Sequence, residues 1–218
     1  MELKGKKINF LGDSITEGHG ASNVEKCFVN LIAEREGAIC RNYGIGGSRI
    51  TYQERLSVNP RWDMNFCSRV QEMDADADIV VVFGGTNDFG HGEALLGEPA
   101  DRTPETFWGA THTLFSSLIE KYPEATIVVL TPLHRCSEDD PQGDHIREHK
   151  TAPLKEYVKI IREAAGCYGL PVLDLFSNSG MQPKVPIIKE KFMPDGLHPN
   201  DAGYEILYRK VSAFLKSL

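Results

Sequence analysis

The chain has 218 residues, a formal net charge of −7, and 41% hydrophobic and 25% charged residues. This length suits one α/β domain with a sizeable core, so we expect residues 1–218 to form a single domain. The sequence carries no basic stripe and no apolar stretch of bilayer length, which argues against nucleic-acid binding and against a membrane protein.

The N-terminal residues and the cysteines predict a cellular compartment. The N-terminal residues show no apolar segment followed by a small-residue cleavage site. The five cysteines are odd in number and widely spaced, which is typical of reduced thiols rather than of a disulfide framework. We therefore expect a cytoplasmic protein, and the pattern leaves its oligomeric state open.

Five short apolar runs, each followed by glycine, proline or a polar loop, predict β-strands. They occupy residues 7–11, 38–42, 78–83, 126–130 and 171–175. Because the runs are mostly continuous in apolar character, we expect them to be strands of a parallel sheet that are buried on both faces.

Apolar residues at helical spacing fill the intervals between these runs. The stripes lie at 24–32, 62–73, 107–118, 154–165 and 207–215. A capping threonine, a proline and a glutamate at 103–105 predict the start of the third helix. Strands that alternate with helices predict a three-layer α/β/α sandwich with about five parallel strands.

Four polar motifs stand after these strands. They are Gly-Asp-Ser at 12–14, Asn-Tyr-Gly-Ile-Gly-Gly at 42–47, Gly-Gly-Thr-Asn-Asp at 84–88 and Asp-Gly-Leu-His at 195–198. The first three motifs follow the first three strands, and the fourth lies in the long loop after the fifth strand. Open parallel sheets bind ligands beyond the carboxyl ends of their strands. We therefore expect all four motifs to meet at one edge of the sheet.

The residue types in these motifs suit acyl transfer. A serine hydroxyl is a weak nucleophile until a base takes its proton, and His198 is the candidate base for Ser14. Asp195 stands three residues before His198 and can reach the other ring nitrogen, where it would fix the tautomer and stabilise the imidazolium. Asp13 and Asp88 flank site residues, and we expect them to orient the loops by accepting backbone N–H groups.

The same motifs contain donors for the negative oxygen of a tetrahedral intermediate. The backbone N–H groups of Ser14 and Gly47 and the side-chain amide of Asn87 are the candidates. Glycine suits this role because a backbone N–H beside it can approach a ligand closely. Gly46 remains the alternative register for the second donor.

The ordered set of motifs resembles the four blocks of an SGNH hydrolase of the GDSL esterase/lipase family. The resemblance spans nearly the whole chain and implies a flavodoxin-like fold and a carboxylic ester hydrolase with a serine nucleophile and an acyl-enzyme. The site residues that it implies are Ser14, Gly47, Asn87, Asp195 and His198. Thr86 in the third block departs from the commonest wording of the family. We expect no cofactor and no metal.

The family's substrates include acetylated sugars, lysophospholipids, thioesters and simple aryl esters. Polar loops and the lack of a long apolar lid favour a small-molecule ester with a short acyl group, or an O-acetyl ester of a carbohydrate. A lysophospholipase or thioesterase is the alternative. A non-catalytic carbohydrate-binding domain on the same scaffold is a further alternative, against which the complete set of reactive groups argues.

Two other motifs predict different chemistry. Gly44 and Gly46 suggest a dinucleotide loop, but Arg49 occupies the position of its third glycine. Within the polar segment 137–150, the sequence His-Ile-Arg-Glu-His at 145–149 matches a metalloprotease pattern. On a helix its two histidines would share one face and could bind zinc. Because the segment lacks apolar periodicity, we expect a solvated lid instead, with an incidental metal left open.

Overall fold

A five-stranded parallel sheet forms the centre of the molecule. The computed structural model describes residues 1–146 and 150–218. The strands are β1 (Lys7–Gly12), β2 (Ile39–Gly44), β3 (Ile79–Phe83), β4 (Thr126–Leu130) and β5 (Val172–Leu173). They are ordered β2-β1-β3-β4-β5, and every neighbouring pair is parallel. This is the flavodoxin-like order, so the predicted fold class is confirmed.

The helices in the described ranges lie on both faces of this sheet. They are α1 (Ser14–Glu17), α2 (Phe28–Glu36), α3 (Phe66–Arg69), α4 (Thr86–His91), α5 (Phe107–Lys121), α6 (Leu154–Cys167), α7 (Leu175–Asn178), α8 (Pro186–Phe192) and α9 (Asp201–Ser217). Short 3₁₀ turns occur at Val24–Lys26, Pro60–Asp63 and Val70–Glu72. None of the helices in these ranges is long and apolar enough to cross a bilayer.

Alternate residues of the central strand pack into two separate hydrophobic cores, one on each face of the sheet. The sheet and the helices on its two faces form the three layers. On β3, Val80 and Val82 pack with α5 and α6 on one face of the sheet. Ile79, Val81 and Phe83 pack with α2 and α9 on the other face. Both faces of β3 are therefore buried, as its continuous apolar run predicts.

The edge strands depart from the prediction that every strand is buried on both faces. On β2, each residue is exposed or only partly buried, and Ile39 is 50% exposed. The β5 strand has only two residues, because Leu175 begins α7 and Asp174 caps that helix by accepting the N–H of Ser177. Both strands lie at an edge and pair with a single neighbour, so their surroundings differ from those of β3.

Two predicted helices also differ from the structure. The third helix begins at Phe107 rather than near 103, because Thr106 is its cap and accepts the N–H of Gly109 at 3.1 Å. The stripe 62–73 is broken into α3 and two 3₁₀ turns, since the Asn65 side chain starts a new helix by accepting the N–H of Ser68. A local side-chain cap thus interrupts an apolar stripe that would suit one continuous helix.

Candidate active site

The first motif places a serine at the start of a helix directly after β1. Ser14 is the first residue of α1, and the carboxylate of Asp13 caps the helix by accepting the N–H of Ile15 at 3.0 Å. A side chain at Gly12 would contact the Thr16 hydroxyl, so the turn requires glycine there. Burial raises the pKa of Asp13 to about 6, although the N–H of Ile15 opposes this shift.

A histidine and an aspartate from the last motif complete a chain of hydrogen bonds with this serine. Nε2 of His198 lies 3.0 Å from Oγ of Ser14, and Nδ1 of His198 lies 2.6 Å from Oδ2 of Asp195. The Asp195 carboxylate also accepts the backbone N–H groups of Leu197 and His198. Partial burial acts to raise the pKa of Asp195, but these hydrogen bonds outweigh it and hold the pKa well below its usual range.

Contacts from two other parts of the chain hold the loop of His198 in place. Gly196 has φ +82°, and its carbonyl accepts the N–H of Cys136 at 2.9 Å. Asn200 caps α9 by accepting the N–H of Gly203. On α9, the Tyr204 hydroxyl donates to the carbonyl of Ile15, which ties the helix after His198 to the helix of Ser14. The loop is thus fixed to both sides of the site.

The second motif offers two candidate backbone donors, the N–H groups of Gly46 and Gly47, and their hydrogen bonds differ. The N–H of Gly46 donates to the Glu17 carboxylate at 2.7 Å and is therefore occupied. In the described ranges, the N–H of Gly47 has no acceptor. Gly47 has φ +78°, and a side chain there would collide with the Trp62 ring. These contacts favour Gly47 over Gly46 as a donor to a ligand.

The third motif lies on α4 and is buried. The Asn87 side chain donates one N–H to the carbonyl of Ser48 at 3.0 Å, which leaves its second N–H for a ligand. Asp88 accepts the N–H groups of Ile50 and Thr51 and the Thr51 hydroxyl. Burial raises the pKa of Asp88, and these three hydrogen bonds oppose the shift. Asp88 therefore holds the chain after Gly47 against the helix of Asn87.

One cavity of about 390 Å³ brings the four motifs together. Its lining includes Ser14, Gly47, Asn87 and His198, while Asp195 lies behind His198. The predicted meeting of these residues at one edge of the sheet is thus observed. Their catalytic roles stay predictions, which the geometry makes specific.

Residues 10–206 match the model of the GDSL-like lipase/acylhydrolase family. The chain belongs to this family. The recognition made from the sequence motifs is therefore confirmed, together with the general acylhydrolase class.

Solved structures resemble this GDSL chain over nearly its whole length. A protein from Lactobacillus plantarum is 28% identical, with a TM-score of 0.84, and the match covers 99% of this chain and 98% of that one. A lipase/acylhydrolase from Enterococcus faecalis is 24% identical, with a TM-score of 0.64 and coverage of 97% and 96%. No curated protein matches the sequence significantly.

A third solved structure is larger than this GDSL chain. It is a two-domain esterase active on acetylated mannans, 19% identical, with a TM-score of 0.65. The match covers 98% of this chain and 49% of that chain. At this identity the likeness shows the shared fold.

Several residues of the GDSL cavity were missed by sequence reasoning. The cavity is also lined by His19, Arg61 and His91. His91 stands four residues after Asn87 on α4, so the helical period places it on the same face, which is a signal that the sequence does contain. His19 is placed locally, since its backbone N–H donates to the carbonyl of Ser14 at 2.9 Å. Arg61 is placed by its long-range pairing with Glu17, which no motif marks.

Two groups of residues in this GDSL fold could be considered as metal sites. In the described residues, His19, Asp195 and His198 have ligand atoms within 4.8 Å of one another. An ion there would compete with the hydrogen bonds that His198 makes to Ser14 and Asp195. In the His-Ile-Arg-Glu-His motif, residues 147–149 lie outside the described residues, and the remaining histidine, His145, pairs with Asp140 at 3.0 Å.

Proposed function

We propose that the chain is a serine esterase that hydrolyses carboxylic esters through an acyl-enzyme. The observation that carries this proposal is the continuous chain of hydrogen bonds from Oγ of Ser14 to Nε2 of His198 at 3.0 Å, and from Nδ1 of His198 to Oδ2 of Asp195 at 2.6 Å. Ser14 and His198 line a cavity that also contains hydrogen-bond donors for an oxyanion. A carbohydrate-binding domain would need a cavity of this kind but has no need of an activated serine. The reactive groups therefore favour an enzyme over a binding module.

In the acylation step, His198 takes the proton of Ser14 as Oγ attacks the ester carbonyl. The Asp195 carboxylate accepts a hydrogen bond from Nδ1–H and stabilises the imidazolium that forms. The N–H groups of Ser14 and Gly47 and the second amide N–H of Asn87 stabilise the negative oxygen of the tetrahedral intermediate. His198 then gives its proton to the departing alcohol, and the acyl group stays on Ser14.

In the deacylation step, water replaces the alcohol. His198 takes a proton from this water as the water oxygen attacks the acyl carbonyl, and the same donors stabilise the second tetrahedral intermediate. The Ser14 oxygen leaves as its proton returns from His198, which releases the carboxylic acid. Every group is then restored to its starting state.

We propose a short acyl group, and an O-acetyl ester of a carbohydrate as the substrate class. The cavity lining includes Glu17, Asn59, Arg61 and Asp144 beside Trp62. Carboxylates, amides and guanidinium groups suit hydroxyl-rich ligands, and an aromatic ring suits the apolar face of a sugar. The solved esterase that is active on acetylated mannans shares this fold and supports the same class.

The test is hydrolysis of p-nitrophenyl acetate, butyrate and octanoate by the wild type and by Ser14→Ala, each with and without EDTA. We expect serine-dependent, chelator-resistant release that falls as the acyl chain lengthens. A preference for octanoate would favour the lysophospholipase or thioesterase alternative. Full activity in Ser14→Ala would overturn the assignment, and loss of activity in EDTA would point to a metal-dependent reaction.

A further inference from the structure

His91 occupies a position in the cavity wall that the proposed mechanism does not use. It is the last residue of α4 and stands one helical turn after Asn87, so the two side chains share a face of the helix. Its ring stacks on Trp62, with centroids 4.2 Å apart and planes at 29°. Only 8% of the residue is exposed, so its orientation is set by packing.

A buried arginine determines which ring nitrogen of His91 carries the proton. The Arg49 guanidinium is 1% exposed and lies 3.2 Å from Nδ1 of His91. Because guanidinium only donates hydrogen bonds, Nδ1 must accept, and the proton of the neutral ring is on Nε2. Arg49 is itself held by Asp63 at 2.6 Å and by the Ser57 hydroxyl at 3.1 Å.

The ring of His91 also stays neutral. Burial is the main cause that lowers its pKa to about 4, and the charge of Arg49 adds to the shift. Arg135 lowers this pKa further, while Asp144, which is paired with Arg135, raises it. At neutral pH, His91 is therefore a donor through Nε2 and does not act as a base.

This donor lies at the boundary of two cavities. His91 and Trp62 line the active-site cavity and also an adjoining cavity of about 170 Å³, whose lining includes Gln53 and Ser57. Nδ1 faces Arg49, so Nε2 is on the opposite side of the ring. Over residues 1–146 and 150–218, the side chain of His91 has no hydrogen bond to another residue besides the one at Nδ1. Nε2 of His91 is not among the side-chain atoms of the described residues that are buried without a hydrogen-bond partner, so solvent in the cavity can reach it. A ligand oxygen can take the place of that solvent and accept the hydrogen bond.

We propose that His91 determines specificity by donating a hydrogen bond from Nε2 to an oxygen in the alcohol half of the substrate. The inference rests on the proposed function. An acetyl group carries no oxygen beyond the carbonyl oxygen, which the donors of Ser14, Gly47 and Asn87 take. The oxygen that pairs with His91 therefore belongs to the alcohol, which is a sugar hydroxyl or ring oxygen in the proposed substrate class.

The test compares His91→Phe with the wild type on two kinds of acetate. Phenylalanine keeps a ring for stacking on Trp62 but has no donor. The sugar probes are the 6-O-acetyl methyl glycosides of glucose, mannose and galactose, and the simple probe is phenyl acetate. His112→Phe is the matched control, because His112 is also a buried histidine that stacks on a tryptophan, Trp108, and it lies outside both cavities.

For His91→Phe we expect kcat/KM to fall about tenfold or more on the best sugar acetate, mainly through KM, and less than threefold on phenyl acetate. His112→Phe should leave the ratio between the two substrates unchanged. If His91→Phe does not fold, His91→Leu, which also lacks the donor, should show the same selective loss.

Equal losses on both substrates by a folded variant, or no loss on either, would overturn the role of His91. The same conclusion would follow if the wild type cleaved phenyl acetate but none of the sugar acetates. A wild type without Ser14-dependent cleavage of phenyl acetate would instead overturn the proposed function itself.

Discussion

The two sides of the active site are built in different ways. On the oxyanion side, Asn87 and Asp88 are buried, and their partners Ser48, Ile50 and Thr51 lie more than 35 residues away along the chain. On the base side, the Asp195 side chain is 51% exposed, and its hydrogen bonds go to residues two and three positions away. The hydrogen bonds of Asn87 and Asp88 therefore depend on the folded core, whereas those of Asp195 depend on local chain geometry.

This difference separates stability from catalysis. A change on the oxyanion side should alter both, because a buried network is disturbed. A change on the base side should alter the reaction with little effect on folding, because an exposed local contact contributes little to stability.

The largest effect is expected where the two sides meet, at the nucleophile and its base. Ser14→Ala and His198→Ala should each lower kcat on p-nitrophenyl acetate by about 10⁵-fold or more, because acylation needs both groups together. The double variant should be no slower than either single variant. A drop in the double variant equal to the product of the single effects would show that the two residues act independently.

The next effect compares two aspartates directly. Asp195→Asn should lower kcat by about 10³- to 10⁴-fold, because an amide disturbs the tautomer of His198. Its free energy of unfolding should change by less than about 1 kcal/mol. Asp88→Asn should instead lower the free energy of unfolding by about 2–4 kcal/mol, because its amide cannot accept all three hydrogen bonds.

Both variants are tested by urea unfolding, which gives the free energy of unfolding, and by ester hydrolysis, which gives kcat. The comparison would break if Asp195→Asn lost several kcal/mol of stability, or if Asp88→Asn unfolded at the same urea concentration as the wild type.

A smaller effect is expected at the oxyanion donor itself. Asn87→Ala should lower kcat by about 10²- to 10³-fold with little change in KM, because the donor binds the charge that develops in the transition state. Asn30→Ala serves as the control, since the Asn30 side chain also donates to a backbone carbonyl, that of Val24, and neither residue lines the cavity. A rise in KM with unchanged kcat would mean that Asn87 binds the ground state.

The smallest effect concerns the pH dependence of stability at Asp13. Its pKa in the folded state is about 6, compared with 3.8 for an ordinary aspartate. The folded state therefore holds this proton more tightly than the unfolded state, and the buried charge destabilises the fold once the proton leaves. Relative to Asp13→Asn, the wild type should lose on the order of 2 kcal/mol as pH rises from about 4 to about 6.

Asparagine can keep the cap by accepting the N–H of Ile15, which makes this variant a matched one. Urea unfolding of both proteins at pH 4, 5, 6 and 7 measures the difference, in which the titration of other groups largely cancels. A difference that stays constant across this range would show that burial does not perturb Asp13.

The contrast between the two sides also explains how much could be predicted from the sequence. Ser14, Asp195 and His198 stand in short motifs whose geometry is local, and all three occupy the expected places. The preference for Gly47 over Gly46 came from the family resemblance, because the physical reason for it is a long-range contact: Glu17 on α1 accepts the N–H of Gly46.

The other misses have one long-range cause and two local ones. The pairing of His91 on α4 with Arg49 in the loop after β2 is a long-range contact that no shared motif marks. The predicted helix start at 103 was wrong because Thr106 forms the cap, and threonines at 103 and 106 look alike in sequence. The strand 171–175 was too long because Asp174 caps α7, which begins at Leu175.

The most direct test of the account is the site at which a fluorophosphonate reacts. The serine oxygen attacks phosphorus and fluoride leaves, so an activated serine becomes covalently labelled. We predict a single adduct, mapped by mass spectrometry to Ser14, that does not form in Ser14→Ala and forms far more slowly in His198→Ala. An adduct at another residue, or equal labelling of the wild type and His198→Ala, would contradict a serine nucleophile activated by His198.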